Sequence, residues 1–447
     1  MNQAVILVPG IMGSVLYDGV DLVWPGKPSE LLLPYKLMAQ LLKPDLQATD
    51  VIRSVSISEQ YSEILNVLEN AGFSEHAKPP NLLAFAYDWR KDNALAAARL
   101  ADAVEKFAQP LGADIEITLL AHSMGGLVSR YYLESGFFLG RHGFSRIKSL
   151  ITMGTPHLGS PLALTAALGQ DKRLFLNADQ VQTLANHKDF PALYQLMPPR
   201  GVPFAWDRTL HARFAGLDVY AHAVATPLGL SLENLDAATR FHQELDLSKK
   251  PQGVRYFCFV GTQQTTVNAV QVTLSRGPAT GVKRSELKDA GDGTVPFWSG
   301  SMSGLQTVTV RGEHGELYKG AHLQQMLGVL LDKEGLMAAL GGQPEISVRS
   351  KVVTPDTPVH VVIDFPQGTV QVVGELRLRL EIDSAGAVRA GTPTALTLPI
   401  SYRGPPIDHL EVLITAPSFA GAYRVEYLEA GDATIQATTE LFVQRPA

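Results

Sequence analysis

The residue with the clearest capacity for covalent chemistry is Ser123, in the run Ala121-His122-Ser123-Met124-Gly125. An apolar run at 115–121 precedes this serine and a helical pattern follows it, which predicts a sharp strand-to-helix turn that projects the hydroxyl above a sheet. Ala121 and Gly125 are small, as such a tight turn requires, although glycine is usual at the first of these positions. The start of a helix also favours negative charge that develops at the hydroxyl. The pattern therefore predicts a nucleophilic serine.

A nucleophilic serine needs a general base, and the base needs an acid that orients it. Asp292 lies between two glycines and is the candidate acid, with Asp289 as the alternative. Asp292 can also be read as an ordinary turn residue of a surface loop. His314 is the candidate base because it lies in a loop directly after a predicted strand, whereas His322, the alternative, falls inside a helical pattern.

Acyl chemistry also needs donors for an oxyanion. One candidate is the backbone N–H of Met124, directly after the serine, and the other is the N–H of Ile11, in the loop after the first predicted strand. Gly10 allows that loop an unusual backbone conformation. The alternative interpretation of the loop is a simple Pro-Gly turn.

Predicted strands and helices that could bring these residues together alternate along the first 160 residues, and the alternation resumes after residue 250. The predicted strands are 4–8, 82–87, 115–121, 148–153, 254–260 and 306–310, and the predicted helices are 59–71, 94–108 and 321–332. In the helix 94–108 we expect Leu95, Leu100, Val104 and Phe107 on one face. This alternation predicts a mostly parallel sheet covered by helices on both faces.

Two segments interrupt the alternation. The block from about 161 to 250 is helical and irregular and is predicted to be a cap inserted into the α/β domain of residues 1–340. The segment 20–50 is a lid candidate, and its apolar part, 31–42, is either a buried helix or a mobile hydrophobic element that contacts a membrane.

The last hundred residues differ from the rest. After Gly341-Gly342, Leu376, Leu378, Leu380 and Ile382 alternate with charged residues, which is the period of a strand with one wet face. Residues 423–427 alternate in the same way, and a further strand is predicted at 433–444. Together these strands predict a small, immunoglobulin-like β-sandwich of several short strands over residues 345–447. We expect this region to support docking of a substrate or a partner.

Composition excludes several classes of protein. The 447 residues suggest two or three domains, and the net charge of -6 argues against a nucleic-acid binder. The single cysteine, Cys258, forms neither an internal disulfide nor a cysteine-based metal site. The chain lacks an apolar run of transmembrane length, and Pro9-Gly10 interrupts the short N-terminal one, so we expect a cytoplasmic protein, with peripheral membrane contact as an open alternative.

Several motifs occur together in order along residues 4 to 332. They are Val5-Ile6-Leu7-Val8-Pro9-Gly10-Ile11-Met12-Gly13-Ser14, Tyr87-Asp88-Trp89-Arg90, the Ser123 turn, Met153-Gly154-Thr155-Pro156-His157-Leu158-Gly159-Ser160, Gly291-Asp292-Gly293-Thr294-Val295-Pro296 and Glu313-His314-Gly315-Glu316-Leu317. As a set they resemble the lecithin:cholesterol acyltransferase-like family of α/β-hydrolases, which includes phospholipases A and phospholipid:diacylglycerol acyltransferases. Three departures are Ala121 in place of glycine, the absence of a lid disulfide, and the C-terminal β region.

The resemblance implies roles for individual residues. Ser123, Asp292 and His314 take the nucleophile, acid and base positions, and the N–H groups of Ile11 and Met124 take the oxyanion-hole positions. Asp88, Trp89 and Arg90 match an element that supports the core beside the site. Trp24 matches a lid-region tryptophan, so it is either a lipid contact or a structural residue.

The expected activity is that of a serine-dependent lipid ester hydrolase or acyltransferase that forms an acyl-enzyme and needs no metal or organic cofactor. The expected partner is a lipid or phospholipid ester. Two alternatives stay open: another esterase on the same fold, such as an inositol deacylase or thioesterase, and a binding protein whose hydrolase domain is inactive.

Overall fold

The computed structural model describes residues 3–27, 34–55, 58–173, 175–208, 215–274, 281–333, 344–383, 394–430 and 435–444. The chain divides into two compact units. Unit 1 comprises Met1–Pro25, Met38–Ile52 and Leu68–Tyr318, and unit 2 comprises Gly26–Leu37, Arg53–Val67 and Lys319–Ala447. The unit boundary therefore falls after Tyr318, whereas the sequence suggests a domain boundary near 340. The glycines 341 and 342, on which that suggestion depends, lie outside the described residues.

Unit 1 is built on a six-stranded parallel sheet. Its strands are β1 (Gln3–Val8), β7 (Leu82–Ala84), β8 (Glu116–His122), β9 (Ile147–Met153), β12 (Arg255–Thr262) and β15 (Gln306–Arg311). Their order across the sheet is β15-β12-β9-β8-β1-β7, and every neighbouring pair is parallel. Residues 4–8 of β1 are all buried, because both faces of a parallel sheet are covered. The predicted α/β class is confirmed.

The helices of unit 1 follow the predicted pattern with local differences. α3 (Asn93–Ala108) begins at Asp92, whose carboxylate accepts a hydrogen bond from the N–H of Ala94. Leu100, Val104 and Phe107 are buried against the core, but Leu95 is 57% exposed. The expectation for Leu95 is wrong, because it projects from the first helical turn towards solvent. α4 (Met124–Glu134) follows β8 directly and is buried along its whole length.

Between β9 and β12 the chain leaves the central sheet, at the position predicted for an insertion. The helices there are α5 (Pro161–Ala167), α6 (Ala178–Ala185), α7 (Ala192–Gln195), α8 (His222–Ala225) and α9 (Leu232–Gln243). A second sheet, in the order β11-β10-β13-β14, consists of β10 (Ala205–Asp207), β11 (Ala215–Gly216), β13 (Gln264–Val272) and β14 (Val282–Gly291). Its strand β14 leads into Asp292.

The lid candidate contains less helix than predicted. Three strands form a small antiparallel sheet: β2 (Ser14–Asp18), β3 (Asp21–Trp24) and β4 (Gln47–Val51). Along the chain, α1 (Met38–Leu41) lies between β3 and β4. Residues 28–33 lie outside the described residues, so the predicted helix at 31–42 is represented by the single turn of α1. Farther on are β5 (Ser54–Val55), β6 (Ser58–Glu59) and α2 (Ser62–Asn70), which begins a few residues later than predicted.

The part of unit 2 from Lys319 onwards contains α11 (Ala321–Leu330) and an all-β region. Its strands are β16 (Glu345–Val348), β17 (Val352–Val353), β18 (Pro358–Asp383), β19 (Thr394–Thr415), β20 (Gly421–Glu429) and β21 (Ile435–Val443). β18 and β19 are 26 and 22 residues long, so the expectation of several short strands is wrong here. The first part of β18 pairs with β16 and the second with β20, and buried residues of both parts share one apolar core. The C-terminal β region is confirmed, while its sandwich arrangement stays a prediction.

The remaining elements are short. α10 (Phe297–Gly300) follows the Asp292 loop, and 3₁₀ helices span Gln109–Leu111, His142–Arg146, Thr226–Leu228, Leu247–Lys249 and His314–Lys319. Among the described residues, no helix has the length and apolar character needed to cross a bilayer.

Candidate active site

Ser123 occupies the turn between β8 and α4. Its backbone has φ 53° and ψ −126°, a region that non-glycine residues rarely adopt. The turn is held by hydrogen bonds from the Ser123 N–H to Met153 O at 2.9 Å and from Thr155 Oγ1 to Ser123 O at 2.9 Å. The structure thus places the serine on the strained strand-to-helix turn that the sequence predicts.

The glycine two residues after the serine is required by close backbone packing. A Cβ on Gly125 would lie 2.4 Å from Val8 O and 2.5 Å from Pro9 O. Gly10 packs equally tightly on the other side, since a Cβ there would lie 2.7 Å from Ser123 Cβ. The turn and the loop after β1 can therefore approach each other only because these positions carry no side chain.

Asp292 follows β14 and is 1% exposed. Its Oδ1 accepts hydrogen bonds from the N–H groups of Thr294 at 3.0 Å and Val295 at 2.6 Å. A Cβ on Gly261, near the end of β12, would lie 2.4 Å from Asp292 Cβ, so the carboxylate lies at the carboxyl edge of the central sheet. These contacts leave Oδ2 directed at an imidazole.

That imidazole belongs to His314, at the start of a 3₁₀ helix after β15. Its Nδ1–H donates to Asp292 Oδ2 at 2.8 Å, and its Nε2 accepts from the Ser123 hydroxyl at 2.8 Å. The backbone N–H of His314 also donates to Asp292 O at 2.9 Å. The three candidate residues, distant in the chain, form one continuous hydrogen-bonded line at the carboxyl ends of parallel strands.

The alternative acid and base do not share this position. Asp289 is exposed on β14, and His322 is exposed on α11, in unit 2. The structure therefore brings together the preferred pair of the sequence analysis.

The two candidate oxyanion donors lie on either side of Ser123. Met124 is the first residue of α4, and Ile11 follows Gly10, which packs against Ser123. Within the described part of the chain, neither of their N–H groups donates to another atom. Both donors are thus available to an oxygen at the serine. Their roles, and those of the three side chains, stay predictions.

His122 is a neighbour of the site that sequence reasoning missed. Its Nε2 lies 2.9 Å from His314 O, and because a carbonyl only accepts, this nitrogen carries a proton. Burial, and secondly the charge of His314, lowers the pKa of His122 to about 3. Its ring also contacts Tyr318 at 5.1 Å between centroids. Position 122, directly before the serine, was the available signal, but the contact with His314 exists only in three dimensions.

The Asp88-Trp89-Arg90 element forms a buried ion pair beside the loop after β1. Both Asp88 carboxylate oxygens accept from Arg90, at 2.8 and 2.7 Å, and Arg90 also donates to the carbonyls of Leu41 and Lys43. Its guanidinium lies 4.3 Å from the centroid of the Phe190 ring. This arrangement agrees with the supporting role that the resemblance implies.

Trp24 is not on the surface. It is 0% exposed, its Nε1–H donates to Met12 O at 2.9 Å, and its ring meets Trp89 edge to face at 5.3 Å. The structure therefore corrects the expectation of a lipid-contacting lid tryptophan. Trp24 is buried because its indole packs on a second indole and its one donor is satisfied inside the protein.

Other reactive groups near the sheet are buried. His157 Nε2 lies 3.3 Å from Thr152 Oγ1 and 3.4 Å from Cys258 Sγ. Burial, followed by the charge of Arg130, lowers the pKa of His157 well below 6.5, and burial raises the pKa of the Cys258 thiol. In the described ranges, no group of three or more His, Cys, Asp or Glu side chains is arranged to hold a metal ion.

Comparison with known proteins identifies the family likeness. The family model described as lecithin:cholesterol acyltransferase matches residues 42–225, which include Ser123. A curated relative, lecithin-cholesterol acyltransferase-like 4 of Arabidopsis thaliana, is 23% identical over 72% of this chain and 74% of its own length. Over this region the chain is similar to the lecithin:cholesterol acyltransferase family.

The chain also resembles a solved structure. A chain from the crystal structure of the Tle4–Tli4 complex aligns with a TM-score of 0.53 and 15% identity, over 76% of this chain and 98% of that one. At this identity the match supports the fold alone. The matched family region ends before Asp292 and His314, so their assignment depends on the geometry described above.

Proposed function

We propose that this chain is a serine-dependent lipid ester hydrolase or acyltransferase that works through an acyl-enzyme. The family match supports an enzyme acting on esters, and the name of the Arabidopsis relative supports a lipid acyl group as the portion transferred. The observation that carries the mechanistic part is the pair of 2.8 Å contacts that link His314 to Ser123 and to Asp292.

In the proposed first half-reaction, His314 Nε2 takes the proton of Ser123 while Oγ attacks the ester carbonyl carbon. The carbonyl oxygen becomes an oxyanion that accepts hydrogen bonds from the N–H groups of Ile11 and Met124. Asp292 holds the imidazole in the correct tautomer and stabilises its positive charge. Collapse of the tetrahedral intermediate breaks the ester C–O bond, and the leaving alcohol takes the proton from His314.

In the second half-reaction, His314 deprotonates a second oxygen nucleophile, which attacks the acyl-enzyme and regenerates the Ser123 hydroxyl. Water as the nucleophile gives a fatty acid, and an alcohol gives a new ester. Hydrolysis and transfer thus use the same residues and differ only in the acceptor that reaches the acyl-enzyme.

The proposal is tested by labelling with a fluorophosphonate probe and by activity on a panel of phospholipid, triglyceride, thioester and p-nitrophenyl ester substrates. We expect labelling of the wild type and its loss in Ser123→Ala, and we expect Asp292→Asn and His314→Gln to lower kcat by about 10⁴-fold or more. Asp289→Asn and His322→Gln are matched controls and should keep wild-type activity.

Mass spectrometry of liposomes incubated with the enzyme, with and without an added acceptor alcohol, separates hydrolysis from transfer. Activity confined to the thioester would favour a thioesterase. A wild-type chain that is neither labelled nor active on any substrate would instead favour a binding protein.

A further inference from the structure

The loop of residues 9–14, which follows β1, is held by three buried aromatic side chains. Tyr87 Oη–H donates to Pro9 O at 2.8 Å, Trp24 Nε1–H donates to Met12 O at 2.9 Å, and Trp89 Nε1–H donates to Ser14 O at 3.2 Å. Each of these side chains is 0 or 1% exposed. A loop in which three carbonyls accept hydrogen bonds from fully buried side chains has restricted freedom to rotate its peptide planes.

The peptide that joins Gly10 to Ile11 lies between two of these hydrogen bonds. Its carbonyl, Gly10 O, accepts from Gly13 N–H at 3.1 Å. The C=O and N–H of a trans peptide point in opposite directions, so the N–H of Ile11 points away from this turn. Tyr87 holds the carbonyl of Pro9, directly before Gly10, and Trp24 holds the carbonyl of Met12, directly after Ile11.

The loop also contains a conformation that needs external support. Met12 has φ 63°, which a non-glycine residue adopts only when its surroundings stabilise it. The carbonyl of this same residue accepts the Trp24 hydrogen bond. Loss of that bond allows Met12 to relax towards negative φ, which would turn the Ile11–Met12 peptide and so shift Ile11 and the N–H that it carries.

We propose that Tyr87 and Trp24 are positioning residues of the oxyanion hole, which act through the loop backbone to aim the Ile11 N–H. This inference rests on the proposed function. An oxyanion donor contributes fully only when it is held close to its ideal position, and a misplacement of about 1 Å can cost on the order of 100-fold in rate. Trp24 thus contributes to the reaction through its indole nitrogen while remaining entirely inside the protein.

The test compares Tyr87→Phe and Trp24→Phe, which remove the donor and keep an aromatic ring, with wild type. The matched control is Tyr220→Phe, because Tyr220 is also buried and its hydroxyl donates to a proline carbonyl, Pro198 O, at 2.8 Å. Concentrations of active enzyme are set by fluorophosphonate titration, and the readouts are kcat and KM on a p-nitrophenyl ester, the inhibition constant of a trifluoromethyl ketone, and the melting temperature.

We expect each single variant to lower kcat by about 10-fold, with KM within twofold, and to weaken the tetrahedral ketone adduct by a similar factor. The pH profile of kcat should not move, because Ser123, His314 and Asp292 are untouched. Tyr220→Phe should lower the melting temperature by a similar amount and leave kcat unchanged. If Trp24→Phe does not fold, replacement of Trp24 by benzothienylalanine removes the N–H and keeps the shape.

The inference is overturned if Tyr87→Phe and Trp24→Phe keep kcat within twofold of an active wild type. It is also overturned if kcat falls while the affinity for the ketone does not, or if Tyr220→Phe loses as much activity. A wild-type chain without labelling or esterase activity overturns the proposed function and this inference with it, so the two failures are distinguishable.

Discussion

At the scale of single residues, the environment of each imidazole decides what it can do. His314 has one nitrogen on a carboxylate and the other on a hydroxyl, which is the arrangement of a general base. His122 and His157 are almost completely buried, and their pKa values are lowered mainly by burial, so they stay neutral in the folded protein. Three histidines near one sheet therefore differ in chemistry although their side chains are identical.

His157 should make the stability of the protein depend on pH. Its pKa is about 6.5 in the unfolded chain and far lower in the folded one, so the unfolded state takes up the extra proton as the pH falls. The free energy of unfolding is therefore unaffected by this histidine above about pH 7. Below pH 6.5 it decreases, by about 2 kcal/mol between pH 7 and pH 5. We expect urea unfolding of His157→Gln to show a pH dependence smaller by this amount, and an unchanged dependence would contradict the buried neutral form.

At the scale of elements, glycines set how closely the parts of the site approach. Gly125 allows α4 to touch the end of β1, and Gly261 allows Asp292 to rest on β12. A Cβ on Gly154, which follows β9, would lie 3.1 Å from Asp292 Oδ2 and 3.2 Å from His314 Nδ1. The hydrogen-bonded line of the site thus fits into space that these glycines leave open.

Gly125→Ala should damage stability and activity together. The added methyl meets the backbone oxygens of Val8 and Pro9, which cannot move aside as a side chain can. We expect a loss of about 1–3 kcal/mol in the free energy of unfolding, together with a lower kcat, because β1 and the loop after it must shift relative to Ser123.

The control for this substitution is Gly140→Ala, where nothing lies within 4 Å of the added Cβ. Urea denaturation and ester hydrolysis at 25 °C measure both effects. Equal behaviour of the two alanine variants would show that the approach at Gly125 is not as tight as described.

At the scale of the whole molecule, all five residues of the candidate site belong to unit 1, while the C-terminal strands have a core of their own in unit 2. Leu376 is 0% exposed within that core, and Leu119 is 0% exposed on β8, beside the nucleophile turn. The two leucines allow the units to be perturbed separately.

Leu376→Ala and Leu119→Ala should each lose about 2–5 kcal/mol of stability in their own unit. We expect Leu376→Ala to keep the wild-type kcat on a soluble ester below its unfolding transition, and Leu119→Ala to lose much of it. Calorimetry and ester hydrolysis provide the measurements. Equal loss of kcat in both variants would indicate that the units act as one, and a selective loss on liposomes in Leu376→Ala would support a docking role for the β region.

The sequence by itself determined the features that depend on neighbouring residues. The apolar run of β1 and the small residues on either side of Ser123 are local, and they predicted the parallel sheet and the nucleophile turn. The ordered set of motifs singled out Asp292 and His314. The exposure of Leu95, the length of β18 and the burial of Trp24 depend on which surfaces pack against each element. Those features were decided by the tertiary structure, because burial and hydrogen-bond partners come from residues far away in the chain.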